Sequence, residues 1–166
     1  LSVGDDRAQK IIDSYEEKVP FVKQLTLQVS QRAQAKGRIR TLLGRLCRFP
    51  LWEPSYFGIH KPLKHEEALA EHGPGIRRAF TYKALNRLIQ GSAADMIKKA
   101  MIDLHKEKIV PLIQIHDELN ISIEGKEQSK KVAEIMENAV KLKVPNKVDY
   151  EVGEHWGSIQ KDISDE

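Results

Sequence analysis

The sequence predicts an α+β fold, on three observations. Apolar residues recur at helical spacing through residues 5–36 and again from about 77 to 106. Two apolar runs, 109–115 and 119–123, flank a polar triplet and read as a tight β-hairpin. An amphipathic helix and a short final strand follow, so the order is α-α-β-α-ββ-α-β rather than a regular α/β alternation.

In chain order, Asp5 or Asp6 is placed to cap a first helix that runs to about Lys18, with Ala8, Ile11, Ile12 and Tyr15 on one face. Pro20 ends that helix or opens the next. The second helix carries Val22, Leu25, Val29 and Ala33 as its apolar stripe, and Gly37 stops it. Ile39 to Arg45 alternates briefly and turns at Gly44, as a short hairpin does. Residues 50–75 change character, because Pro50, Pro54, Pro62, Pro74, Gly58, Gly73 and Gly75 punctuate a stretch rich in His and aromatic residues. A long loop is expected there, with one helical turn near 66–71. A long helix is expected from about 77 to 106, and its small residues (Ala84, Gly91, Ser92, Ala93, Ala94) permit close approach of another backbone.

In the hairpin, alternation places Leu119, Ile121 and Ile123 on one face and lifts the polar tip above the sheet. Residues 126–142 form an amphipathic helix with Val132, Ile135, Met136, Ala139 and Leu142 inward. Residues 148–152 read as the last strand, Trp156 packs the tail, and only the final residues read as disordered. The chain therefore divides into a helical segment with a short hairpin (1–49), an extended loop (50–76), and a part holding the long helix, the acidic hairpin, a helix and the last strand (77–166).

At 166 residues the chain accommodates one domain with a genuine core. Lys and Arg total 27 against 24 acids, a net charge of +3 that is compatible with nucleic acid without establishing it. Placement is more informative: Arg32, Lys36, Arg38, Arg40, Arg45 and Arg48 fall within residues 32–48, a stretch with no acid. A solvated face mixes signs, so this run favours a polyanionic partner. The single cysteine, Cys47, rules out an internal disulfide and fits a reducing compartment. No apolar stretch approaches the roughly 18 residues of a membrane span, and the polar, acidic N-terminus does not read as a signal peptide. A cytoplasmic location and no membrane partner are expected. The start at Leu1 rather than Met suggests a fragment, a processed product or a trimmed chain.

The residues that carry chemistry are Ile115-His116-Asp117-Glu118-Leu119. Adjacent carboxylates at a rigid tip are costly to hold together unless something positive binds them, and a divalent metal ion is the natural candidate. Taken alone, such a tip is more often a solvated turn. Upstream, Tyr82, Asn86 and Gln90 stand four apart and form one polar line on the expected helix. Amides on a half-buried helix usually satisfy neighbouring backbone. They also suit the DNA minor groove, whose purine N3 and pyrimidine O2 acceptors lie at equivalent positions in every base pair. His60, His65 and His72 raise a zinc site, but their spacing fits no tight ligand pair and no Cys accompanies them.

Gln90-Gly91-Ser92-Ala93-Ala94-Asp95, followed by Ile115-His116-Asp117-Glu118-Leu119, resembles the C-terminal palm motifs of family A DNA polymerases, the bacterial repair-polymerase and phage-replicase type. Tyr15 to Pro20 with Val22 resembles the family's Tyr-x-x-x-x-Pro-x-Val junction, and Gly37 to Arg45 its Gly-x-x-x-Thr-Leu-x-Gly-Arg segment. Val152-Gly153 with Trp156 resembles its terminal strand and tryptophan. The likeness covers nearly the whole chain apart from the proline-rich loop.

This resemblance implies a partial polymerase palm, with the antiparallel hairpin and terminal strand packed on long helices, together with part of the fingers. It implies Asp117 as a ligand of catalytic Mg2+ and Glu118 as a supporting carboxylate near the metal. It places His116 near the primer 3′ end, Asn86 and Gln90 in the minor groove of the terminal base pairs, and Arg45 on a phosphate. Where many relatives carry an arginine one turn before Asn86, this chain has Tyr82 with Lys83 beside it, which puts one primer–template contact in doubt. The Ala84-Leu85-Asn86 wording and the enlarged loop are more phage-like than bacterial.

Phosphoryl transfer from a dNTP needs two metal ions roughly 4 Å apart. A second strand-borne acid is wanting here: Asp13, Asp95 and Asp103 fall on expected helices, and Asp5 and Asp6 read as caps. In the family that aspartate, and the helix that grips the triphosphate, lie earlier in the chain. The expectation is a C-terminal portion of a split or cut polymerase, inactive alone. It would act on primer-template DNA and dNTP once an N-terminal fragment or chain supplies the remaining palm and fingers. The competing reading is a non-catalytic primer-template binding module in which Asp117 is dispensable. A one-metal nuclease built on Asp117, Glu118 and His116 lacks further ligands.

Overall fold

The computed structural model describes residues 4–155 together with Gln160 and Lys161. Trp156 and the final residues, expected to pack the tail and to be disordered respectively, lie outside the described residues. The chain divides into two units, Leu1–Ser92 and Ala93–Glu166.

The first unit begins with two helices, α1 (Asp5–Lys18) and α2 (Pro20–Lys36). Gly4, not Asp5 or Asp6, occupies the N-cap position of α1, and its carbonyl accepts from the N–H groups of Arg7 and Ala8 at 3.0 Å each. Both aspartates already lie inside the first turn. Pro20 opens α2, where its missing N–H costs nothing. Gly37, at φ 64°, closes it by donating its N–H to the Ala33 carbonyl at 2.8 Å. Val29 and Ala33 of the expected stripe are buried, whereas Ile11, Ile12 and Tyr15 of α1 are exposed.

The short hairpin forms as expected from β1 (Arg38–Arg40) and β2 (Leu46–Arg48), with Ile39 opposite Cys47 and Gly44 turning at φ 88°. Ile39 points inward and joins Val29, Ala33, Phe49 and Ala84 in one apolar cluster, against which Cys47 and Leu88 pack.

In residues 50–76 the helical turn expected near 66–71 is present, but the long loop around it is broken by short strands. These residues hold β3 (Trp52–Pro54), an eight-residue helix α3 (His65–His72), and the start of β4 (Ile76–Arg78), which pairs antiparallel with β3. Trp52 also exchanges backbone hydrogen bonds with Leu63 at 2.8 and 2.9 Å, so β3 is flanked on both edges. The prolines and glycines sit at the ends of these elements or between them rather than inside them. Pro54 closes β3 and Gly73 ends α3, so the punctuation marks short elements rather than abolishing structure.

The same strands shorten the long helix. Arg78 pairs with Trp52 in register, and a 3-10 turn over Thr81–Lys83 intervenes before α4 (Ala84–Lys106) begins. Tertiary pairing at Arg78 thus overrides the helical pattern of residues 77–83.

In the second unit, Lys108 turns the chain after α4 at φ 62°, and Ile109 folds back to donate its N–H to the Leu104 carbonyl at 3.0 Å. Ala100, Leu104, Ile109 and Ala133 are its buried apolar residues among those described. The acidic hairpin is β5 (Ile113–Ile115) with β6 (Glu118–Asn120). Helix α5 (Lys126–Asn138) stops short of residue 142, and Lys131 ties it to Glu107 at 2.7 Å. The final strand contracts to β7 (Glu151–Val152) and pairs with β8 (Gln160–Lys161). Among the described residues the strands form four separate two-stranded antiparallel sheets. No helix among them is long and apolar enough to cross a membrane.

Candidate active site

The hairpin tip is built by register. Ile115 pairs with Glu118, which leaves His116 and Asp117 as a two-residue loop. Such loops need a backbone whose twist matches the strands, and that demands positive φ at the first central residue. His116 supplies it at φ 51°, a conformation usually given to Gly or Asn. The Gln114 amide donates to the His116 carbonyl at 3.0 Å and holds the bend. The Asn120 amide donates to Glu118 Oε1 at 3.0 Å, fixing one oxygen of that carboxylate. Asp117 and Glu118 are both exposed.

Both acids border a cleft of about 640 Å³ within the second unit. Met96 and Ile97 of α4 and Val132 and Met136 of α5 give it an apolar wall, and residues 146–151 complete the lining. The lining is mixed: Asn120, Asn146, Lys147, Asp149 and Glu151 face the same space as Asp117 and Glu118. The predicted inward face of the hairpin is only half buried at Leu119, Ile121 and Ile123, while Ile113 and Ile115 are exposed.

The predicted DNA-contact residues lie in the first unit. Asn86 and Gln90 are one turn apart on α4, on one face, and both are exposed. Tyr82 is not part of that helix. It lies in the 3-10 turn with Lys83, whose ammonium stands 5.5 Å from the Tyr82 ring and 5.3 Å from the Phe80 ring. The expected three-residue polar line is therefore a pair. Arg45 reaches back across the chain and donates to the Gly91 carbonyl at 2.7 Å, which puts its guanidinium against α4 next to Gln90.

Several supporting contacts join residues far apart in the sequence. Ser92 Oγ accepts the N–H of Leu42 at 3.0 Å, and Gly91 leaves room for Thr41, whose methyl would lie 2.8 Å from a Cβ there. The run of small residues was the signal for this close approach. Arg78 is a clamp: its Nε donates to the Gln34 carbonyl and its Nη1 to the Phe49 carbonyl, both at 3.1 Å, and its guanidinium lies 4.4 Å from the Trp52 ring. With its amide turned to satisfy both groups, Gln34 also pairs with the Arg78 backbone at 2.7 and 3.2 Å. Asp95 is buried on α4. Of the three histidines, His65 stacks edge-on against Trp52 at 4.6 Å, while His60 and His72 stand 5.9 Å apart beside Tyr56.

Comparison with known proteins gives the family. A family model described as DNA polymerase family A matches residues 1–158. A DNA-directed DNA polymerase of Pseudomonas phage M6 is 36% identical over 149 residues, which cover 90% of this chain and 19% of that protein. DNA polymerase I of Bacillus caldotenax is 37% identical over 166 residues, covering 94% of this chain and 17% of that protein. Among solved structures, the POL domain of Pol1 from M. smegmatis, in complex with DNA primer-template and dNTP, matches at a TM-score of 0.62 and 29% identity. That match covers 86% of this chain and 24% of the other. The chain thus spans less than a fifth of the length of these two curated relatives.

Proposed function

The chain belongs to DNA polymerase family A, and on that premise we propose that it forms the C-terminal portion of a DNA-directed DNA polymerase. In this reading it extends a primer 3′ end from dNTPs on primer-template DNA, in a cytoplasmic setting. The remaining palm strand, with the other metal-binding aspartate, and the triphosphate-gripping helix come from a segment outside these 166 residues.

The observation that carries the reading is the hairpin tip. A strained His116 and two exposed carboxylates stand beside a cleft of mixed polar and apolar lining, fixed by strand register rather than by flexible side chains. The donor set fits Mg2+, which is a hard ion usually held by one or two carboxylates, with substrate phosphates and water completing its shell. Asp117 would hold it directly, with Glu118 in support. When bound, such an ion stabilises charge on phosphate oxygens and activates the attacking hydroxyl. Among the described residues no group of three His, Cys, Asp or Glu side chains is placed to hold a metal.

The chain's own residues then divide the work. His116 would position the primer terminus. Asn86 and Gln90, exposed in line on α4, would donate to minor-groove acceptors and test base-pair shape. Arg45, braced on Gly91, would meet a backbone phosphate, and Tyr82 and Lys83 would stand at the edge of that contact.

The test is nucleotide incorporation on primed template with Mg2+. The chain alone should incorporate nothing, and the chain combined with the segment carrying the missing strand and helix should extend the primer. Asp117→Ala should abolish extension in that combination while assembly survives. Extension by the mutant combination at the wild-type rate would remove Asp117 from the chemistry and leave the non-catalytic binding module as the surviving reading.

A further inference from the structure

Arg45 aside, the acid-free basic run finds no use in the active site, and the structure gives it a definite surface. In the β1–β2 hairpin Arg38 stands directly opposite Arg48, and Arg40 lies two residues along the same face. Ile39 and Cys47 point the other way, toward the apolar cluster. Side chains two apart on a strand are separated by about 6.6 Å, so the outer face carries three arginines at neighbouring positions. All three residues are exposed. Like charges directly across an antiparallel pair destabilise it, and a sequence shaped by folding alone would place an acid at one of those positions. Among the described residues no carboxylate pairs with Arg38, Arg40 or Arg48. Arg40 is anchored by a 2.8 Å bond to the Gly44 carbonyl, and Arg87 donates to the Arg48 carbonyl at 3.4 Å, which brings a further guanidinium to the same strand. At the turn, Leu42 and Leu43 are half exposed.

We propose that the outer face of this hairpin, Arg38, Arg40 and Arg48, holds the phosphate backbone of a single DNA strand. Charge complementarity demands a polyanion with repeated charges. The neighbouring Leu42 and Leu43 favour an unpaired strand, whose base faces are apolar and accessible, over a duplex that presents only phosphate and sugar. The inference deepens the polymerase reading and rests on it only for taking the polyanion to be DNA.

The experiment is a salt titration of the full chain binding a labelled single strand of roughly 12 nucleotides, without Mg2+ or dNTP. Each phosphate contact to a single strand contributes about 0.7 to the slope of log K against log salt. Replacing all three residues (Arg38→Gln, Arg40→Gln, Arg48→Gln) should lower the slope by about 2 and weaken binding about a hundredfold at 0.1 M salt. The corresponding triple lysine variant should keep the wild-type slope. Equal charge loss elsewhere, as Lys10→Gln, Lys130→Gln and Lys141→Gln, should leave the slope unchanged. An unchanged slope in a folded triple glutamine variant overturns the proposal, and so does a slope lost equally in the lysine variant. If the triple glutamine variant melts early, Arg40→Gln alone, which faces Leu46 rather than another arginine, should lower the slope by about 0.7. A loss seen on a blunt duplex of equal length but absent on the single strand overturns the single-strand assignment. Asp117→Ala should bind the single strand as wild type does, so failure of the polymerase reading and failure of this one are separable.

Discussion

His116 occupies the one position of its hairpin loop where a β-carbon is unwelcome. Holding a non-glycine residue at φ 51° costs about 1–3 kcal/mol, and such strain persists where the side chain has a task. His116→Gly should therefore raise the melting temperature of the chain, or leave it unchanged, while impairing primer extension by the assembled polymerase. A glycine variant that extends primers normally would show the imidazole to be idle. Gly91 makes the opposite case. In an exposed helix Gly→Ala gains about 1 kcal/mol, yet here the new methyl would meet the Thr41 side chain at 2.8 Å. Thr41 is buried, so the crowding costs about 1–3 kcal/mol and outweighs the gain. Gly91→Ala should lower stability, and adding Thr41→Ser, which deletes the offending methyl, should restore most of it. Denaturant melts of the single and double variants decide this, and stabilisation by Gly91→Ala alone would refute the close approach. At this scale legibility followed sequence distance. His116, Asp117 and Glu118 are contiguous and could be read directly. Arg78 could not, because its partners Gln34 and Phe49 lie 44 and 29 residues away.

The elements were legible where their signals were local. Both ends of α2 carried theirs, Pro20 at the start and Gly37 at the stop, and the acidic hairpin was marked by its two flanking apolar runs. Elements stabilised by distant partners were missed. Strand β4 exists because β3 lies beside it, with Arg77 Nε 3.1 Å from Glu53 Oε1 across the pair, and no periodicity within three residues could announce that. Helix α4 ends in a charge cluster that gives a pH dependence. Hydrogen bonds first from Lys99 and then from Lys106, the latter at 2.9 Å, hold the Asp103 carboxyl below its ordinary value of 3.8. A carboxylate with a depressed folded-state pKa stabilises the fold above its unfolded value, and that contribution disappears as pH falls through the folded value. Asp103→Asn should lower the melting temperature slightly at neutral pH, with the difference shrinking as pH falls below about 4. A gap that persists undiminished at lower pH would assign the effect to packing rather than charge.

Across the chain as a whole, the large apolar side chains divide unfavourably. Val29, Ile39, Phe49, Leu104 and Ile109 are buried, and alanines fill much of the remaining core. Against them, Ile11, Ile12, Tyr15, Phe21 and Leu27 of the first two helices, Ile102 of α4, and Val110, Leu112 and Ile113 before the acidic tip are all exposed. Single exposed apolar residues are ordinary, but runs of them along a helix pair and a strand are the mark of surfaces that another segment covers. This is why the expected amphipathic face of α1 was legible in the sequence yet leaves Ile11, Ile12 and Tyr15 exposed. Burying one such side chain fully is worth about 1.5–3 kcal/mol, and a partner that binds only the folded chain stabilises it by mass action. The isolated chain should therefore bind a fluorescent hydrophobic dye and melt early. Adding the complementing polymerase segment should suppress dye binding and raise the melting temperature in proportion to the logarithm of its concentration. Ile11→Glu with Phe21→Glu should weaken that gain while changing the melt of the isolated chain little, because those residues are mostly exposed when it is alone. A sharp, dye-free melt of the isolated chain that the added segment does not shift would mean that these faces have no partner in the rest of the polymerase.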